Sequence, residues 1–144
     1  MSKLLMVLLS SLLLWSVNSY AEEKAEIKAE NLRVILAPSV ARSTAAYGEI
    51  KNTGDVADTL IGISSNVGMA MLHQTKITSG SAQMNHIEEY TIKPRESLVL
   101  KPMSYHIMFT NIDHDVVKQD GKATITLTFK NAGDIKFTVP IASD

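Results

Sequence analysis

Apolar and polar residues alternate along most of this chain, and this period of two is the feature that most limits its fold. Between residues 123 and 129, for example, alanine, isoleucine, leucine and phenylalanine alternate with three threonines. Successive side chains of an extended strand point to opposite faces, so such a segment is predicted to be a strand with one buried face. No segment of ten or more residues shows the 3.6-residue period of an amphipathic helix. The chain is therefore predicted to be all-β.

Turn-forming residues divide this pattern into about nine short strands. The last two, at residues 123–129 and 135–139, are predicted to form a hairpin around the loop 131–134. The other predicted strands lie near residues 27–37, 44–52, 57–65, 70–78, 83–92, 97–101 and 105–111. Short strands at this close spacing, without a long linker, predict a single domain with the architecture of a Greek-key antiparallel β-sandwich.

The first 21 residues have the pattern of a cleavable signal peptide. Lys3 precedes an apolar run from residue 4 to residue 17, and Ser19 and Ala21 put small residues at the positions that a signal peptidase recognises. A membrane anchor is the alternative, but the run is shorter than the roughly 20 residues that span a bilayer. We therefore expect a signal peptide at 1–21, export to the periplasm, and one domain at 22–144 that is not membrane-bound after cleavage.

The composition excludes several classes of protein. With 14 basic and 15 acidic residues, the chain lacks the basic surface expected of a protein that binds nucleic acid or an anionic membrane. It has no cysteine, which excludes thiol oxidoreductases, cysteine hydrolases, cysteine-type zinc sites and blue-copper electron carriers. Because no nucleophile elbow or glycine-rich phosphate-binding loop is present, we do not expect an enzyme.

Side chains that bind soft metal ions cluster in about a third of the chain. Apart from two methionines in the predicted signal peptide, all the methionines and three of the four histidines fall between residues 69 and 108. They are Met69, Met71, His73, Met84, His86, Met103, His106 and Met108. Methionine that only fills gaps in a core would be spread more widely, although a methionine-rich patch of core is the alternative interpretation.

The period of two also places these side chains on shared faces. His106 and Met108 are two residues apart on one predicted strand, so their side chains project from the same face. Met84 and His86 likewise share a face, and a predicted turn at residues 79–81 joins their strand to that of His73. In such a hairpin His73 lies opposite either Met84 or His86, depending on the register, with the two Cβ atoms about 5 Å apart.

A mixed set of thioethers and imidazoles favours copper, and Cu(I) over Cu(II). Thioether sulfur is a soft ligand that binds Ca²⁺ and Mg²⁺ poorly, whereas zinc prefers thiolate, imidazole or carboxylate. A methionine and histidine site can also hold Cu(I) outside the cytoplasm without the disulfide formation that threatens a thiolate site. The sequence therefore predicts a Cu(I)-binding domain.

The spacing of these residues resembles the ligand motif of a known family. Ten residues separate His73 from Met84, twenty-one separate Met84 from His106, and one separates His106 from Met108. This pattern, with the segment 98–102 that leads into it, is similar to that of the periplasmic copper chaperones of the PCuAC family. Three positions depart from that family, which commonly has glycines where this chain has Met103-Ser104, and often an acidic residue in place of Gln74.

The resemblance implies a fold, a ligand set and a role. The fold would be a cupredoxin-like β-sandwich that holds Cu(I) near the surface at one end, with His73, Met84, His106 and Met108 as ligands. The protein would deliver Cu(I) in the periplasm to a copper-accepting protein, either a cytochrome oxidase subunit or another copper carrier, for assembly of a respiratory oxidase. We expect it to be a monomer.

Other interpretations remain open at this point. The protein is alternatively a periplasmic copper storage or resistance protein that binds Cu(II) through histidines, or a non-enzymatic module whose methionine-rich strip contacts another protein. Met71, Met103 and His86 are candidates for auxiliary ligands, but each is equally expected to pack or to face solvent. His114 is interpreted as a solvated loop residue.

Overall fold

The computed structural model describes residues 23–143, and the predicted signal peptide therefore lies outside the described residues. The described part is all-β, as the alternation predicted, and contains ten strands. They are β1 Ile27–Ile35, β2 Ser43–Asn52, β3 Asp58–Ser65, β4 Met69–Thr78, β5 Ser81–His86, β6 Tyr90–Ile92, β7 Ser97–Leu100, β8 Tyr105–Thr110, β9 Lys122–Phe129 and β10 Gly133–Ala142. Between residues 23 and 143 there is no helix that is long and apolar enough to cross a membrane.

The strands form one curled sheet whose two halves pack on each other as the layers of a sandwich. The order of strands is β5-β4-β8-β7-β2-β1-β10-β9-β3-β6, with β8 also paired to β2. A short parallel pairing of β1 with β10, at Val34 with Ile141 and Ile35 with Ala142, joins the two halves. The predicted C-terminal hairpin is confirmed, since β9 and β10 pair antiparallel along most of their length.

The predicted strand at residues 83–92 is wrong in one respect, because the structure divides it into β5 and β6. β5 pairs with β4 in one layer, whereas β6 pairs with β3 in the other. The chain therefore crosses between the layers at residues 87–89, and a continuous strand there could not satisfy both pairings. This division gives ten strands in place of the predicted nine.

Alternating residues of both layers fill the core. On β9 the residues Ala123, Ile125, Leu127 and Phe129 are fully buried, while the threonines between them are partly exposed. On β8, Ile107 and Phe109 point into the same core. Burial of apolar surface is the main favourable term in folding, and here it acts without any disulfide. The inward-facing residues also fix which side chains of β8 face away from the core.

A close backbone contact fixes how β4 and β8 align. The pairing of these strands begins at Met69 opposite Thr110, and Gly68 immediately precedes it. A Cβ atom at Gly68 would lie 2.5 Å from the carbonyl oxygen of Thr110, which is too close for any residue with a side chain. Because glycine has no Cβ, the chain can enter β4 against the end of β8 in this register.

Candidate metal centre

The register of three neighbouring strands brings three histidines into one row. His73 on β4 lies directly opposite His106 on β8 and, on its other side, directly opposite His86 on β5. The ring centroids of His73 and His106 are 5.9 Å apart, and those of His73 and His86 are 5.8 Å apart. The question that the sequence left open is thereby decided, since His86 and not Met84 is the direct partner of His73.

Both thioether ligands of the predicted set are diagonal neighbours of His73. Met108 lies two residues beyond His106 on β8, and Met84 lies two residues before His86 on β5. Diagonal positions on one face of a sheet are about 7–8 Å apart at Cα, which long side chains such as methionine can bridge. All four predicted ligands therefore share the face of the sheet that is opposite to the core residue Ile107.

His73 has the properties of an uncharged imidazole with an unused ring nitrogen. Its Nδ1 atom is buried and has no hydrogen-bond partner. Burial lowers the pKa of His73 below its usual value, and the neighbouring His106 and His86 lower it further. A neutral imidazole with a free nitrogen is the form in which histidine binds metals, so the environment of His73 prepares it to act as a ligand.

His106 is held in one orientation by the backbone. It is only 6% exposed, and its Nδ1 atom lies 3.1 Å from the carbonyl oxygen of Ser104. In a neutral ring the carbonyl can only accept, so this contact puts the proton on Nδ1 and leaves the electron pair on Nε2. A backbone carbonyl that fixes the tautomer in this way is a common partner of metal-binding histidines.

Next to this row is a cavity of about 340 Å³, which we call the methionine cavity. Its lining includes Met84, His106 and Met108 from the predicted set, together with Met103. The remaining lining residues are Ser43, Thr44, Ala45, Tyr47, Thr75, Ala82 and Pro102. His73 does not line the cavity, but its ring lies next to that of His106, which does. Three predicted ligands therefore face one space, and the fourth lies beside it.

Within residues 23–143, no group of three histidine or acidic side chains is arranged to hold a metal ion. The histidines of this face have thioether side chains beside them. Met84 supplies an exposed thioether on the edge strand β5, and Met108 supplies a partly buried one on β8. The arrangement can bind a soft cation with donors of both types.

The remaining candidate ligands from the sequence analysis do not line this cavity. Met71 lies opposite Met108 in the β4–β8 pairing, and His86 is an exposed neighbour of His73. His114 is an exposed residue of the loop after β8, and its Nε2 atom lies 2.8 Å from the carbonyl oxygen of Ala41, so it is a loop residue as predicted. The sequence analysis did not single out Thr75, which lines the cavity; its place two residues after His73 on one strand is the signal that could have found it.

Comparison with known proteins identifies the family. The family described as "Putative lipoprotein LpqE-like" matches residues 27–141, which include every described strand except the final residue of β10. The chain belongs to the LpqE-like family. One relative, "Putative lipoprotein Lxx21020" of Leifsonia xyli subsp. xyli, is 28% identical over 100 residues, or 68% of this chain. The matched region spans 60% of the length of that relative. Membership of a lipoprotein family agrees with the predicted export.

Solved structures with a similar fold are PCuAC domains. The solution structure of CuI-DR1885 from Deinococcus radiodurans has a TM-score of 0.68 and 23% identity, and the match covers 88% of this chain and 84% of that one. The copper-bound PCuAC domain from PmoF2 has a TM-score of 0.65 and 19% identity, covering 82% of this chain and 93% of that one. At these identities the likeness concerns the fold, and it confirms the predicted cupredoxin-like β class.

Proposed function

We propose that this protein is a periplasmic metallochaperone that binds one Cu(I) ion through His73, Met84, His106 and Met108 and transfers it to another protein. One observation carries the proposal: the β4–β8 and β4–β5 registers bring two imidazoles and two thioethers together on one face of the sheet. Two of the structural neighbours, the copper-bound PCuAC domain from PmoF2 and CuI-DR1885, contain copper, which supports the same assignment.

The donor set determines the oxidation state of the cargo. Two thioethers and two neutral imidazoles add no charge, so the bound ion keeps its single positive charge when it is Cu(I). A buried monovalent cation costs less desolvation than a divalent one, and thioether sulfur favours the softer ion. The predicted ligands therefore select Cu(I) from the copper ions that an exported protein meets.

Differences in exposure among the ligands suit release as well as binding. Met84 lies on the edge strand β5 and is 61% exposed, whereas His106 is almost completely buried. An acceptor can therefore replace the thioether of Met84 first, while His106 stays in place through the carbonyl of Ser104. Ligand exchange that begins at the exposed edge lets the ion move without being released into water.

The cellular role extends this chemistry. The signal peptide at 1–21 would export the chain, and the domain would then act in the periplasm as a carrier and not as an enzyme. By its resemblance to the PCuAC family, the acceptor would be a copper-binding subunit of a respiratory cytochrome oxidase or another copper carrier. Transfer to that acceptor is the step that distinguishes a chaperone from a copper store.

A competition experiment tests the proposal. The purified, metal-free protein is titrated with Cu(I) under anaerobic conditions in the presence of a chromogenic Cu(I) chelator, beside the double variant Met84→Leu/Met108→Leu. We expect the protein to withhold one equivalent from the chelator and the double variant to withhold little, with similar melting temperatures because leucine keeps the volume of methionine. The variant Met69→Leu, which removes an equally exposed thioether outside the cavity, serves as the control.

One observation favours a second function, that of a store for Cu(II). The row His86, His73 and His106 places three imidazoles on adjacent strands, and imidazole-rich sites favour Cu(II) over Cu(I). If the protein binds Cu(II) more tightly than Cu(I), and if His86→Gln removes that binding while the double methionine variant keeps it, the storage function replaces the chaperone.

A further inference from the structure

The turn between β7 and β8 contains a backbone conformation that is unusual for its residue. Met103 has a φ angle of +61°, in the left-handed region. Non-glycine residues rarely adopt this conformation, and those that do are mainly asparagine and aspartate. Of the six such residues described between positions 23 and 143, Met103 is the one with an apolar side chain; the others are Asn31, Ser79, Arg95, Asn111 and Asp120.

The packing of Met103 does not compensate for this conformation. Its side chain is 61% exposed, so little hydrophobic burial offsets the unfavourable backbone angle. The exposed side chain nevertheless lines the methionine cavity together with Met84, His106 and Met108. Strain that is retained without a packing benefit is characteristic of functional positions.

The backbone next to Met103 is held firmly on both sides of the cavity. The carbonyl oxygen of Ser104 accepts a hydrogen bond from the backbone N–H of Thr75 at 3.0 Å and lies 3.1 Å from Nδ1 of His106. The turn is thereby attached both to β4 and to a predicted ligand. The backbone at Met103 is thus held at the rim of the cavity, and its exposed side chain lines the cavity.

We propose that Met103 is a third thioether ligand, which covers the bound Cu(I) from the solvent side and slows its release. This inference rests on the proposed function, because it assigns a further ligand to the same site. Met103 is a neutral donor, so its binding leaves the charge of the site unchanged. A third thioether must also be displaced before an acceptor or a chelator can take the ion, so its presence slows release.

Two substitutions separate the sulfur from the backbone conformation. Met103→Leu keeps the bulk and the left-handed angle but removes the thioether, and Met103→Gly removes the side chain and suits the angle. We expect both variants to release Cu(I) to a chelator about tenfold faster than the unchanged protein, within the range seen when groups that tune a metal site are removed. We expect the metal-free Met103→Gly variant to melt about 3 °C higher, while metal-free Met103→Leu melts as the unchanged protein does.

The measurement is stopped-flow transfer of Cu(I) from the loaded protein to an excess of chelator, with thermal unfolding of each metal-free variant and with Met69→Leu as control. If both Met103 variants release Cu(I) at the unchanged rate while Met84→Leu releases it faster, Met103 is not a ligand and the proposed function stands. If the unchanged protein withholds no Cu(I), the proposed function and the role of Met103 are both wrong. Lower stability of metal-free Met103→Gly would contradict the argument from backbone strain.

Discussion

At the scale of single residues, the environment of each histidine decides what it can do. His73 is a partly buried imidazole between two others, and it has an unpartnered Nδ1 atom. His106 has one nitrogen occupied by a backbone carbonyl, and His86 is exposed. Three residues of the same type thus have three different environments, and only their positions in the sheet create the difference.

The lowered pKa of His73 makes a prediction for the metal-free protein. Its folded-state pKa lies below the usual value of 6.5, first because of burial and then because of the charges of His106 and His86. Between these two pKa values the unfolded chain binds more protons than the folded one, so this group makes stability fall as the pH falls through about 6.5. In an NMR titration of the ring protons, His73 should titrate below the normal range.

The variant His86→Gln removes one of the three causes of that shift. Removing one charged neighbour should raise the pKa of His73, but the value should stay below normal because burial and His106 remain. A normal pKa for His73 in the unchanged protein would contradict the burial and the close ring contacts described above.

At the scale of elements, the site depends on the registers of β5, β4 and β8 more than on any single side chain. A shift of one residue between β4 and β8 would turn His73 and Met71 to the opposite face of the sheet from His106 and Met108. Gly68 is the residue whose lack of a Cβ permits the observed register. Gly68 lies outside the cavity, but it affects the geometry of the ligands through the register of β4 and β8.

Substitution of this glycine tests the connection. Gly68→Ala places a Cβ against the carbonyl oxygen of Thr110 and should lower the free energy of unfolding by about 2 kcal/mol or more, as steric strain of the backbone typically does. Chemical denaturation measures the change, and Cu(I) competition measures its effect on the site. The matched control is Gly62→Ala on β3, where the new Cβ would meet Thr128 at an ordinary 3.5 Å. Equal stability of the two variants would show that Gly68 does not fix the register.

The sequence predicted the elements better than their pairing. Alternation identified the strands and the shared face of His106 and Met108, because side-chain direction in a strand follows from local geometry. The partner of His73 could not be predicted, since register depends on the turn and on the neighbouring strand. The crossing between β5 and β6 was missed for the same reason. β5 pairs with β4, the strand before it in the chain, whereas β6 pairs with β3, which is distant in sequence.

At the scale of the whole molecule, two buried polar residues attach loops to the ends of neighbouring strands through hydrogen bonds. Asp58 is 1% exposed, and its carboxylate accepts hydrogen bonds from the backbone N–H groups of Thr59, Asn131 and Ala132 and from the side chain of Asn131. Asn52 is also fully buried and bonds to four backbone groups. The sequence analysis missed both residues, because the burial of a polar side chain depends on which loops it meets in the folded chain.

The carboxylate of Asp58 provides a test of this role. Asp58→Asn keeps the shape but turns an amide NH₂ toward backbone donors, so it should lower the free energy of unfolding by about 2 kcal/mol. Asp55→Asn is the control, because the ion pair of Asp55 with Arg95 is exposed and should contribute less than about 1 kcal/mol. Denaturant unfolding of both variants measures the difference. If Asp58→Asn is as stable as the control, these hydrogen bonds do not hold the loop 131–134.

The most direct test of the central claim is an anaerobic Cu(I) titration of protein labelled with ¹³C at the methionine methyl groups. A bound Cu(I) ion changes the chemical shift of the methyl group next to each sulfur that it contacts. The account predicts that the signals of Met84 and Met108 shift together and stop changing at one equivalent, while the signal of Met69 stays where it was. If the signals of Met84 and Met108 do not move when Cu(I) is added, the proposed site is wrong.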